Sequence, residues 1–253
     1  MKILIPIHDP ADRLDLSYIF ANNYASLGVS PSALVEMAGV ARNVVPGVSC
    51  RAVLVHPGEI VELVKLLKGS TVRPEVVVDF PDGLGGIATK EVQAQRAAAA
   101  GAVGGDPVVN LHAVQMRDRK TVFEEIRVVC QHLHDVKVIV QLPYLWQFDK
   151  EAIPWLLEII AEAGAYCVKD WTTRVDNFLL PEGAALDYTH ETRLRYIEYV
   201  AEYVAKHNLP LIQKIAGRVV ASEVQSFIDA GALLVGTSYR KAASLRSALL
   251  LAK

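Results

Sequence analysis

Short runs of β-branched and other apolar residues recur along this 253-residue chain, and between them apolar residues fall three and four apart. The runs Arg51–His56, Glu75–Phe80, Pro107–Leu111, Lys137–Leu142, Tyr166–Lys169, Leu211–Ile215 and Leu233–Thr237 predict strands. Each is short and apolar rather than alternating, which is the pattern of parallel strands covered on both faces. The intervening segments Pro57–Leu67, Lys90–Ala100, Thr121–Leu133, Lys150–Ala163, Thr189–His207 and Ser222–Ala230 predict helices. Ile60, Leu63, Val64 and Leu67 form one apolar stripe, and Val122, Ile126, Val129 and Leu133 form another. Most of these segments end close to Gly or Asn, a C-terminal stop signal.

Seven such strands need an eighth to close a barrel, and it must come from the first fifty residues. Lys2–His8 and Leu16–Ala21 both qualify. Leu16–Ala21 is slightly favoured, which leaves the other as an N-terminal extension or a cover for the barrel bottom. Unbroken strand–helix alternation, without linker or internal repeat, predicts one α/β domain over residues 1–253, a (β/α)8 TIM barrel. The alternative, an open doubly wound sheet, lacks its GxGxxG fingerprint, because Gly83-Leu-Gly85-Gly86 has the wrong spacing and follows the wrong strand.

Composition narrows the function classes. The chain is 52% hydrophobic and 21% charged with a formal net charge of −2, and its charges are interspersed. No polybasic run argues for nucleic acid. The N-terminal apolar run is too short for a signal peptide or a membrane span. Cys50, Cys130 and Cys167 are far apart with no CxxC spacing, which fits a reducing cytoplasm and no disulfide framework.

In such barrels the C-terminal strand ends build the active-site face. His56, Asp79, Phe80, Asn110, His112, Gln141, Lys169, Trp171, Lys214, Gly236 and Ser238 are expected there, with Asp106 at the start of the fourth strand. Lys169 and Lys214 carry the most information, because they end two consecutive strands. A lysine attacks a carbonyl only as the neutral amine, and an ordinary lysine with a pKa near about 10.4 is almost wholly protonated at neutral pH. Burial and a second nearby cation both favour the neutral form, so two lysines in one pocket read as Schiff-base chemistry. A single lysine at a strand end would more often snorkel to solvent. Trp171, two residues on from Lys169, is expected to share its face, and Asp170 to point away into a salt bridge. His8, His56 and His112 raise a zinc reading, but their spacing is unspecific and no metal is expected. Gly217, Gly236 and Ser238, with Arg174, Arg218 and Arg240 as cations, suit a phosphate site after strands seven and eight. The same residues read equally well as turn glycines with solvated arginines.

Taken together, these segments resemble the deoxyribose-phosphate aldolase family, class I aldolases with a (β/α)8 barrel. The resemblance covers roughly residues 51–245. It is carried by Asp79-Phe-Pro-Asp-Gly83 with Lys90 and Glu91, by Gly101-Ala-Val-Gly-Gly-Asp-Pro-Val-Val-Asn110, and by Lys137-Val-Ile-Val. Ala163-Gly-Ala-Tyr-Cys-Val-Lys169, Lys214-Ile-Ala-Gly217 and Gly236-Thr-Ser238 continue it in order.

The resemblance implies that Lys169 forms an imine with the substrate, that Lys214 lowers its pKa and moves protons, and that Asp106 belongs to the proton relay. Thr172, Arg174, Gly217, Arg218, Gly236 and Ser238 would bind the substrate and its phosphate. The implied reaction converts 2-deoxyribose 5-phosphate to glyceraldehyde 3-phosphate and acetaldehyde without a cofactor, in a homodimer or higher homo-oligomer. The chain departs from the family at Lys169-Asp-Trp-Thr-Thr173, at Gly217-Arg218 in place of two glycines, and at Gln141 in place of an acid. Asp15-Leu-Ser17 and Asn22-Asn23 are imperfect matches to its strand-one signature. Three alternatives stand beside this reading: a related fructose-bisphosphate-type class I aldolase, a catalytically altered barrel with a binding role, and a metal-dependent lyase or hydrolase using His56 and His112.

Overall fold

The computed structural model describes residues 13–17, 31–174, 180 and 184–251. Eight parallel strands close into a barrel in sequence order: β1 (Leu14–Ser17), β2 (Ala52–Val55), β3 (Arg73–Val78), β4 (Gly104–Pro107), β5 (Asp135–Ile139), β6 (Cys167–Lys169), β7 (Ile212–Ala216) and β8 (Ala232–Ser238). Asp15 pairs with Ala52 on one side and Gly236 on the other, which completes the ring. Among the described residues no helix is long and apolar enough to cross a membrane.

Helices α1 (Pro31–Arg42), α2 (Ile60–Leu67), α3 (Gly86–Ala99), α4 (Leu111–Gln115), α5 (Arg119–His132), α6 (Leu142–Phe148), α7 (Ala152–Ala163), α8 (His190–Lys206), α9 (Val224–Asp229) and α10 (Ala242–Leu251) follow the strands. Asp118 and Thr189 cap α5 and α8 by accepting from the backbone N–H three residues on. Gly164, with φ of 92°, ends α7 in the left-handed conformation that glycine adopts freely. The outward strand residues, such as Val53, Val76, Val138, Ile215 and Val235, join the helix faces in one continuous apolar core. Inside the barrel the apolar contacts are sparse, with Leu54 and Val77 packing against Phe80. Charged side chains fill most of the remaining lumen, where a barrel of this kind more often holds branched apolar residues.

Four expected strands are displaced toward the N-terminus, the third to Arg73–Val78 from Glu75–Phe80 and the fifth to Asp135–Ile139 from Lys137–Leu142, with the fourth and first beside them. The fourth runs from Gly104 to Pro107 rather than Pro107–Leu111, and only Val108 continues as an isolated bridge to Ile139. Its glycines carry no apolar signal, yet the site requires them. A Cβ at Gly104 would lie 2.5 Å from Asp135 Cβ, and one at Gly105 would lie 2.7 Å from Leu133. Asp106 therefore sits inside the barrel near the strand's end, not at its start. β1 begins two residues before the favoured Leu16–Ala21, of which the structure describes only Leu16 and Ser17. The other candidate, Lys2–His8, lies outside the described residues.

The Asp79-Phe-Pro-Asp-Gly83 segment is held from beneath by Lys90. This side chain is 1% exposed and donates to Asp79 Oδ2 at 2.6 Å, Glu125 Oε2 at 2.7 Å and the Gly83 carbonyl at 2.8 Å. Asn110 donates to Glu125 from the other side and caps α4. One buried ammonium thus ties the β3–α3 loop to α3 and α5.

Candidate active site

Lys169 and Lys214 stand in register on β6 and β7, so both amines enter the lumen at one level. Both are buried, and both donate to the same oxygen, Asp106 Oδ2, at 2.9 and 3.3 Å. Lys214 also donates to Asp15 Oδ2 at 2.6 Å. One layer below, Lys137 lies 3.1 Å from the other Asp106 oxygen and pairs closely with Glu75. Arg51 completes the lower layer, meeting Asp15 Oδ1 at 3.2 Å, Glu75 and Asp135 at 3.5 Å, and the Tyr166 hydroxyl at 2.6 Å. Buried charges survive in a protein interior only when compensated. Here four carboxylates meet four cations across six strands and the residue that precedes β2.

This arrangement separates the lysines by role. Burial is the largest influence on the Lys169 amine and holds it below the usual lysine value. Asp106 opposes that, while the charges of Lys214 and Lys137 add to it. Burial also works against the charge of Lys137, but Asp106 and Glu75 outweigh it and keep this amine protonated. Burial would raise the Asp106 and Asp15 carboxyls, yet the surrounding cations hold both well below the usual carboxylate range. Glu75 is pushed up by its burial, against the pull of Lys137. Cys167, on the same strand as Lys169, is pushed up to about 12 by burial and stays a thiol. Burial and the neighbouring lysine charges thus bias Lys169 toward the neutral amine.

Above the amines a cavity of about 480 Å³ opens at the C-terminal strand ends. Asp15, Lys169 and Lys214 form its floor, while Arg174, Gly217, Arg218, Gly236, Ser238, Arg240 and Lys241 line it toward the rim. Every phosphate-site residue expected from the sequence except Thr172 lines this space. Glycine suits position 217, because its φ is 65° and a Cβ would fall 2.1 Å from Thr173 Cγ2 unless that side chain moved. At Gly236 a Cβ would press within 3.0 Å of Lys214 Cε, so glycine here lets the lysine stem pass. Ser238 accepts from the Arg240 N–H and opens the helical turn that leads into α10.

Thr172 is turned away from the cavity. Its hydroxyl and backbone N–H bind Gln141, and the hydroxyl accepts from the Arg174 N–H. Gln141, at φ of 57°, follows β5 and immediately precedes α6. Trp171 is buried and donates from Nε1 to the Ala216 carbonyl at 2.9 Å. Asp170 does point outward, where it pairs with Arg193 at 3.2 Å and accepts from the Ala216 N–H. Asn110 and His112 belong to α4 rather than to a strand end, and His112 is exposed. His56 is half-buried and meets Phe80 edge-on, with burial and the Arg174 charge lowering its pKa. Among the described residues no group of three His, Cys, Asp or Glu side chains could hold a metal ion. His8, Asn22 and Asn23 lie outside the described residues.

The sequence reading passed over Arg51, Glu75 and Lys137 as site residues and took Asp15 only as an imperfect match. The available signal was parity. A charge within a strand otherwise apolar on both faces, as in Asp135-Val-Lys137-Val-Ile, has nowhere to go but the lumen.

No family model matches the chain. A deoxyribose-phosphate aldolase of Dictyoglomus turgidum is 31% identical over 189 residues, covering 74% of this chain and 78% of that protein. One of Clostridioides difficile is 30% identical over 193 residues, covering 75% and 79%. Among solved structures, a tetrameric deoxyribose phosphate aldolase from Aeropyrum pernix superposes with a TM-score of 0.72 at 22% identity, over 94% of this chain and 89% of that one. An aldolase called QR15 gives 0.74 at 23% identity, with 97% of each chain covered. At these identities the structural likeness speaks for the fold.

Proposed function

The chain belongs to the deoxyribose-phosphate aldolase family, and from that premise we propose that it is a lyase cleaving 2-deoxyribose 5-phosphate through an imine at Lys169. The observation that carries this reading is the shared Asp106 oxygen between two buried lysines, one of them biased toward the neutral amine.

The chemistry follows from that geometry. Neutral Lys169 adds to the C1 aldehyde of the open-chain sugar, and loss of water gives the protonated imine. This electron-poor group accepts the electrons of the C2–C3 bond once the C3 hydroxyl gives up its proton. Glyceraldehyde 3-phosphate leaves, and the enamine takes a proton at C2. Hydrolysis then frees acetaldehyde and restores the amine. Asp106 is the fixed carboxylate that relays these protons, and Lys214 holds it in place while its charge adds to burial in biasing Lys169 toward the neutral amine. Arg174, Arg218, Gly217, Gly236 and Ser238 hold the phosphate at the rim. Thr172 acts from behind, tying the Arg174 backbone to Gln141. The cavity volume of about 480 Å³ lies in the range usual for small-ligand sites. The proposed setting is a cytoplasmic homo-oligomer, in keeping with Cys50, Cys130 and Cys167, none of which forms a disulfide, and with the tetrameric structural neighbour.

Lys169→Ala tests the reading. The variant should keep its circular dichroism spectrum and lose all detectable cleavage of 2-deoxyribose 5-phosphate. A folded Lys169→Ala protein that still turns the sugar over contradicts it.

A further inference from the structure

Arg218 stands at φ of 55°, a backbone conformation that residues other than glycine seldom adopt. It follows Gly217, and a glycine would sit there without strain. Its side chain is not loose. The guanidinium carbon lies 4.3 Å from the Tyr188 ring centroid and 5.9 Å from that of Trp171, and Nη1 donates to the Tyr188 hydroxyl. The Tyr188 and Trp171 rings pack at a tilt of 35° with centroids 5.2 Å apart, and Trp171 is itself fixed through Nε1 to the Ala216 carbonyl. Three segments, after β6, before α8 and after β7, thus converge to pin one cation at the cavity wall. A guanidinium offers five N–H donors. Among the described residues only Tyr188 takes one of them, so the remaining edge is free for a ligand that enters the cavity.

We infer that Arg218, held over the Tyr188 ring beside Trp171, is the specificity-determining residue that makes this cavity discriminate a terminal phosphate ester from a neutral sugar, and that Tyr188 is its positioning residue. The physical reason is that a planar guanidinium already fixed by stacking and a hydrogen bond can meet a phosphate in bidentate fashion with little further loss of side-chain freedom. Backbone amides can cradle the same anion but bring no full charge. This inference rests on the aldolase reading for its substrate and deepens it at the anion end.

The test compares wild type, Arg218→Gly and Tyr188→Phe. Glycine suits the backbone at position 218, and the phenylalanine keeps the stack while deleting the hydroxyl. The readout is the ratio of kcat/KM for 2-deoxyribose 5-phosphate to kcat/KM for 2-deoxyribose. Arg218→Gly should lower this ratio roughly 10- to 100-fold, chiefly through KM for the phosphorylated sugar. Tyr188→Phe should lower it by a smaller factor in the same direction. A general structural defect would depress both substrates together and leave the ratio alone. A ratio unchanged in Arg218→Gly overturns the inference. Inorganic phosphate binding, followed by 31P NMR titration, separates this failure from failure of the aldolase reading. If wild type cleaves neither sugar, Arg218→Gly must still weaken phosphate binding by a comparable factor, and equal binding overturns the inference on its own.

Discussion

Replacing Asp106 by asparagine keeps the side-chain volume and removes the one charge that all three lumen lysines share. Asp106 is fully buried and lies 2.9, 3.3 and 3.1 Å from the amines of Lys169, Lys214 and Lys137. Breaking a buried charge cluster by deleting one member costs about 3–5 kcal/mol. For a chain of this size that corresponds to a melting temperature lower by roughly 6–20 °C. The pH sign is fixed by the depressed Asp106 pKa. Its contribution is complete above the ordinary carboxylate value of about 3.9 and disappears as pH falls through the lower folded value. The stability gap between wild type and Asp106→Asn should therefore be flat around neutrality and close only in strong acid. Activity should fall by roughly 10²–10⁴ in kcat, the usual value of a positioned proton-transfer group. The acid limb of the kcat/KM profile supplies the sharper test. Asp106 favours the protonated form of Lys169, so its removal leaves more neutral amine and shifts that limb to lower pH. A loss caused by amine protonation would shift it upward. Stopped-flow turnover across pH, beside thermal unfolding, measures both. An Asp106→Asn enzyme with kcat within about fivefold of wild type, or with its acid limb moved upward, refutes the assignment.

Two further outcomes follow from the same network. Lys214→Met removes a charge that depresses the Lys169 pKa, so the acid limb should move to higher pH and imine formation near neutrality should slow, with partial recovery in alkali; an unshifted limb in a pH-rate series counts against the coupling. Lys90→Met, away from the cavity, strands Asp79 and Glu125 and should lower stability by about 3–5 kcal/mol in urea unfolding; a variant as stable as wild type would show that this ammonium does not hold the β3–α3 loop.

The apolar runs located the strands wherever both faces are buried by Val, Ile or Leu, as in Val76–Val78 and Val136–Ile139. They failed at Gly104-Gly-Asp-Pro107, because backbone contact with Asp135 and Leu133 selects residues there that carry no hydrophobic signal. The short helices α4 and α6 were missed for a similar reason. Each follows its strand almost at once, set by the Asn110 cap and by the left-handed Gln141, so there was no long periodic segment to read. The two lysines were legible from position alone. Their partners Asp15, Glu75 and Lys137 come from strands far apart in sequence, and only closure of the barrel brings them together. Tyr188 lay furthest from reach, since its bearing on Arg218 depends on a contact across thirty residues of loop and helix.

The central claim is that Lys169 is the nucleophile, and borohydride trapping with acetaldehyde and with 2-deoxyribose 5-phosphate, followed by peptide mapping, tests it most directly. The account predicts a reduced adduct on Lys169 and on no other lysine of the lumen. An adduct on Lys214 or Lys137 instead, or no adduct in a folded protein that turns the sugar over, would contradict it.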